Sequence, residues 1–126
     1  MSEKQGCSCG CSAGPKLIFA CSGASDVGAI TDQAARKLSK DGVGNMFCLA
    51  GIGGRVAGIM AMTASASRIL AIDGCPLNCA KNSLEQAGFK NYEHLQLADL
   101  GLAKGKTPPT PEAIATVAVA GAAKLM

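Results

Sequence analysis

The chain has no tryptophan, one tyrosine, three phenylalanines and a single histidine in 126 residues. With aromatics at 3% it offers few ring faces on which nucleic-acid bases would stack. Basic runs are missing as well: 12 Lys and Arg residues and 9 Asp and Glu residues are dispersed along the chain, for a net charge of +3. No nucleic-acid partner is expected from that pattern. Long apolar stretches are also absent. Leu17 to Ala20 is too short for a signal-peptide core, and Ala113 to Ala123 is too short to span a bilayer. The expectation is a cytoplasmic protein with no membrane partner. His94 precedes a predicted strand and is expected on the surface at the edge remote from the cysteines, so no Cys or Ser nucleophile has a base beside it.

Against these absences stand a sizeable apolar content and many thiols. The residues are 48% hydrophobic, mostly small, which is enough for one domain with a real core. Seven cysteines are a high count for this length. In a reducing compartment such cysteines read as metal or redox ligands rather than as disulfides.

Residues 1–15 read as a flexible tail rich in Cys, Gly and Ser, and residues 16–126 as a single α/β metal-binding domain. Leu17 to Ala20 forms a short buried strand. Val27, Ile30, Ala34 and Leu38 recur at helical spacing after a Ser25 or Asp26 cap, and Gly42 stops that helix. Asn45 to Ala50 predicts the second strand, and Val56, Ile59, Met60 and Thr63 one face of a second helix. Arg68 to Ile72 is the third strand. Pro76 sits where a helix would begin, with Leu77, Ala80, Leu84 and Ala87 as its apolar stripe and Gly88 as its end. Leu95 to Leu100 predicts a fourth strand. A final helix, capped by Thr110, carries Ile114, Val117, Gly121 and Leu125. Strands alternating with helices imply a three-layer αβα sandwich on a mainly parallel, four-stranded sheet, and right-handed crossovers favour a doubly wound order such as 2-1-3-4.

The cysteines fall at the carboxyl ends of these strands. Cys21 ends the first, Cys48 lies within or near the end of the second, and Cys75 follows the third; each is 27 residues from the last. A parallel sheet gathers its strand ends on one edge, where open α/β sheets bind ligands. Cys79, four residues after Cys75, falls on the same side of a first helical turn. Four thiols around one point suit a tetrahedral soft-metal ion, zinc in the first place. Core filling is the alternative, and Cys48 between Phe47 and Leu49 fits it. Asp73 either makes a turn with Gly74 or supports the ligands from behind. Cys7, Cys9 and Cys11 in the tail form an accessory soft-metal set or none. Gly23, Gly53 and Gly54 mark turns whose amides suit an anion, although Val56 stands where a dinucleotide fingerprint needs glycine.

The segments Cys21-Ser22-Gly23, Cys48-Leu49-Ala50-Gly51-Ile52-Gly53-Gly54, Ile72-Asp73-Gly74-Cys75-Pro76-Leu77-Asn78-Cys79-Ala80-Lys81 and Asp99-Leu100-Gly101 with Lys104 resemble the DGC-domain family of small prokaryotic proteins. The resemblance runs in order over about residues 17–105, with Asp-Gly-Cys-Pro as its most specific part. It implies zinc binding by four shared cysteines, matched here by Cys21, Cys48, Cys75 and Cys79. The leading expectation is therefore a small zinc-binding protein for metal handling or sensing. Two others remain open: a thiol redox or sulfur-transfer enzyme using Cys75 and Cys79, and an iron–sulfur cluster on the same cysteines.

Overall fold

A computed structural model describes residues 14–126; Cys7, Cys9 and Cys11 lie outside the described residues. The elements run β1 (Lys16–Ala20), α1 (Asp26–Lys40), β2 (Asn45–Met46), α2 (Leu49–Gly53), α3 (Ala57–Ala64), β3 (Arg68–Asp73), α4 (Cys79–Gln86), β4 (Glu93–Gln96), a 3-10 turn at Leu97–Leu100 and α5 (Pro111–Lys124). All pairings are parallel and the strand order is β2-β1-β3-β4. This is the predicted doubly wound sandwich. Among the described residues, no helix is long and apolar enough to cross a membrane.

Strand residues alternate between the two faces, and in β1 and β3 both faces are buried. Ile18, Ala20, Leu70 and Ile72 pack with α1 and α5 through Val27, Ile30, Leu38 and Val117. Leu17, Phe19, Ile69 and Ala71 pack on the other face with Ile52, Ala80 and Leu84. Small residues keep the layers close. A methyl group on Gly121 would stand 3.0 Å from Leu38 and 3.2 Å from Leu70, so α5 lies nearly against the sheet.

Four local expectations are corrected. The second strand pairs only through Asn45 and Met46 and then turns into α2, because an apolar run at a sheet edge is equally fit for a short helix. The second helix is two helices. Arg55 adopts a left-handed conformation (φ 57°) between them and donates from its guanidinium to the carbonyls of Ile52 (2.7 Å), Gly53 (3.3 Å) and Gln86 (3.2 Å), which closes the end of α2. The fourth strand starts earlier, at Glu93, and stops at Gln96, whose side chain accepts from the Ala98 N–H and starts the 3-10 turn. Helix α4 begins at Cys79 rather than at Pro76, and Leu77 lies 67% exposed, outside the apolar stripe.

Replacing Leu70 with Ala removes a fully buried side chain from the middle strand. We expect a loss of about 2–5 kcal/mol, read as a lower urea midpoint with an unchanged slope.

Candidate site at the carboxyl edge of the sheet

The strand order reverses between β1 and β3, and the carboxyl ends of these two strands open a crevice of the kind that binds ligands in such sheets. Cys21 leaves β1 at its mouth, tied to the sheet by its own N–H, which donates to Ile72 O at 3.0 Å. On the β3 side, Asp73 is followed by Gly74 and Cys75. Gly74 is required by packing: a Cβ there would come 2.9–3.0 Å from Val27, including its backbone carbon. The glycine of the Asp-Gly-Cys run thus lets the start of α1 press against the end of β3.

Asp73 explains why α4 starts where it does. Its carboxylate is 1% exposed. The Ala80 N–H donates to Oδ1 at 2.8 Å and the Lys81 N–H donates to Oδ2 at 3.0 Å. These are the second and third amides of α4, which an N-cap side chain ordinarily satisfies. The residue in the cap position, Asn78, sits in the left-handed region (φ 53°) and makes no cap hydrogen bond with its side chain. The cap therefore comes from the neighbouring strand, and Asp73 reaches across the loop that carries Cys75. Gln96 secures that loop from β4, donating to Cys75 O at 2.9 Å and to Asn78 Oδ1 at 2.7 Å.

His94 lies within β4, opposite Ala71, and its Nε2 is 2.9 Å from Asp73 Oδ2. The expectation of a histidine at the far edge is thereby corrected: parallel pairing in this register carries it to Asp73. Its ring meets Tyr92 edge-to-face at 6.5 Å, and the Tyr92 hydroxyl bonds to Glu85. Burial, followed by the Glu85 hydrogen bond and charge, pushes the Tyr92 phenol up to about 12.

The four predicted cysteines are all free thiols. Cys21, Cys75 and Cys79 line one cavity of about 450 Å³ at the crevice, together with Asp73, Gly23 and Lys104. Cys21 and Cys48 line a second cavity of about 1060 Å³ beside it, toward β2. Cys21 thus stands between the two. Cys48 and Cys79 are exposed, while Cys21 and Cys75 are half-buried and Cys75 packs in part against the core. Among the described residues, no group of three or more His, Cys, Asp or Glu side chains is assembled to hold a metal ion. Cys75 and Cys79 also do not share a helical turn, since only Cys79 belongs to α4.

Ser22 and Asn78, each next to one of these cysteines, are two of three non-glycine residues with positive φ among those described. Such conformations cost energy and concentrate where a site demands them. Thr31 holds the Cys21 end. Its hydroxyl donates to Gly28 O at 2.8 Å, accepts from the Ser22 N–H at 3.2 Å and lies 3.3 Å from the Cys21 sulfur. With the hydroxyl proton committed to Gly28, the Cys21 thiol is the donor in that last contact. Lys104 is brought to the crevice by Asp26, whose carboxylate accepts from the N–H groups of Gly105 (2.9 Å) and Thr107 (3.1 Å). Those bonds hold the Asp26 carboxyl below its ordinary value. Of the glycines expected at an anion turn, Gly23 lines the crevice and Gly53 the larger cavity. Gly54 spends its N–H on Ala50 O at 2.8 Å and has none to offer.

Thr31, Gln96 and the pair Arg36 and Lys40, which line the larger cavity, had no role expected from sequence. Thr31 alone had a signal, as a polar residue one position from the buried stripe of α1. The other three acquire meaning only once the sheet is assembled.

The DGC domain profile matches residues 17–120. The chain is also 39% identical over 88 residues to the anaerobic and virulence modulator AnvM of Pseudomonas aeruginosa, a match spanning 70% of this chain and 67% of that protein. No solved structure is significantly similar to it.

Two expectations follow from the Asp73 network. Asp73→Ala strands two helix amides in a buried place and should cost about 1–3 kcal/mol in a urea titration, with Asp73→Asn costing less. The second concerns Tyr92, the only tyrosine in a chain without tryptophan, so phenolate absorbance near 295 nm reports it alone. A midpoint of about 12 is expected, falling part of the way toward 10 in Glu85→Gln because burial is the larger cause. The neutral phenol is favoured in the folded state, so its contribution to stability is present below pH 10 and is lost as pH rises toward 12.

Proposed function

Because the chain belongs to the DGC-domain family, we propose that it is a thiol-based binding protein of the cytoplasm that takes up a soft metal ion, zinc foremost, at the crevice between β1 and β3. The observation that carries this reading is the meeting of Cys21, Cys75 and Cys79 around one cavity at the topological switch point. Thiolates are the donors that zinc and other soft ions prefer, and Cys48, which shares the adjoining cavity with Cys21, supplies the fourth. In the structure the donors stand apart, so uptake requires closure of the segments bearing Cys21, Cys48 and Cys75. Each of these cysteines lies outside regular helix and strand. Asp73 supports the site by fixing α4 and hence Cys79, with its oxygens engaged by amides and His94. A site that closes around its ion suits handling or sensing, because occupancy then changes the shape of the edge. A relative named as an anaerobic and virulence modulator is consistent with that role.

One observation favours a second reading: no three donors are assembled among the described residues, and Cys79 is exposed at the first position of α4. In that case Cys79 or Cys75 accepts a sulfur atom from a persulfide donor, R–S–SH, and releases R–SH. An iron–sulfur cluster on the same four thiols would give a brown protein.

Metal analysis of protein purified without air distinguishes the three. About one zinc per chain is expected, with colourless protein. Cys75→Ser should lose most of the metal while its circular dichroism is retained. Protein that is metal-free and carries one additional sulfur atom by mass spectrometry would replace metal binding with sulfur transfer.

A further inference from the structure

The larger cavity, between α1, β2 and the start of α2, is not explained by metal binding. Two of its walls are unlike. One presents the thiols of Cys21 and Cys48; the other presents Arg36 and Lys40, one turn apart on α1. Phe47, held edge-to-face on Phe19, is part of its apolar floor. Among the described residues, no carboxylate lines it. The acid bonded to Arg36, Asp32, accepts from its guanidinium (2.7 Å) and from the Ser22 hydroxyl (2.9 Å) and is not among the cavity's lining residues. Lys40 has no ion pair among the described residues. At about 1060 Å³ the space exceeds what a metal ion needs and matches a small organic molecule.

We propose that this cavity binds anionic low-molecular-weight disulfides and that Cys48 exchanges with them. The cations hold the ligand's acidic groups while its sulfur atoms face the thiols. Cys48 is the attacking residue because it is exposed, whereas the Cys21 S–H is half-buried and engaged with Thr31. The Cys48 thiolate attacks one sulfur of R–S–S–R. A new Cys48–S–S–R bond forms, the original S–S bond breaks, and R–S⁻ leaves and takes up a proton from water. No external oxidant is required, since the ligand disulfide is itself the oxidant: one of its sulfurs is reduced as the Cys48 sulfur is oxidised. The reaction needs the thiol free of metal, so the protein is used after chelation. Its outcome does not depend on Cys75 or on whether zinc is ever bound.

The test compares two probes of similar chemistry and different charge, the dianionic 5,5′-dithiobis(2-nitrobenzoate) and the neutral 2,2′-dithiodipyridine. Each is added at less than one equivalent, and the first cysteine modified is identified by peptide mass spectrometry. Cys48 should react first with the dianion. The double variant Arg36→Gln, Lys40→Gln should slow that reaction on the order of tenfold, as removal of electrostatic steering does. The same variant should leave the rate with the neutral probe within about twofold, since no charge attraction is involved. Both substituted residues are on the surface, and the wild-type protein provides an independent measurement: added salt should slow the dianion and not the neutral probe. Equal slowing of both probes, no slowing of either, or first modification at another cysteine would each overturn the proposal.

Discussion

A buried carboxylate organises the functional edge of this protein. Asp73 ends β3, one of the two inner strands, with almost no exposure to water, and a polar group so placed must be hydrogen-bonded. Its partners are two amides of α4 and the ring of His94. The amides lie at the positive end of a helix, where negative charge is favoured. Through this contact the strand dictates where the helix begins, and the five residues between them must form a loop of fixed span. Cys75 lies inside that loop and Cys79 directly after it. The left-handed Asn78 is the local cost of closing the loop onto a cap that comes from elsewhere, and Gln96 offsets part of it from β4.

The Asp-Gly-Cys run therefore has three distinct physical duties in three consecutive residues. Asp73 caps a helix it does not belong to. Gly74 leaves room for Val27, so that the first turn of α1 can sit against the strand end. Cys75 then faces the crevice that this close approach creates. Replacing the glycine would push α1 away, and with it Thr31, which holds Cys21 on the other side.

Cys21 occupies the position where two cavities meet, with the crevice on one side and the cation-lined space on the other. The smaller cavity collects three thiols beside a lysine. The larger pairs two thiols with two cations and an aromatic floor. Cys21 is the one thiol among the described residues that lines both.

Much of the architecture was legible in the residues, because the physics that sets it is local. Buried strands of a parallel sheet read as short apolar runs, and Leu17 to Ala20 and Arg68 to Ile72 both do. The stripe Val27, Ile30, Ala34, Leu38 and the Ser25 and Thr110 caps likewise announce their helices. Handedness and alternation favour a doubly wound sheet, and the order 2-1-3-4 is one of those they allow. What the sequence could not reveal depends on partners distant in the chain. The break after α2 is made by an arginine reaching Gln86, and the start of α4 by a carboxylate belonging to β3. His94 acquires its role from a register that places it beside Ala71 and so against Asp73. The placement of Cys21, Cys48 and Cys75 just past strand ends was legible from sequence, since strand ends in a parallel sheet share an edge. Their division between two cavities was decided only by tertiary packing, because side-chain direction at a strand end depends on the loop conformations that neighbouring elements impose.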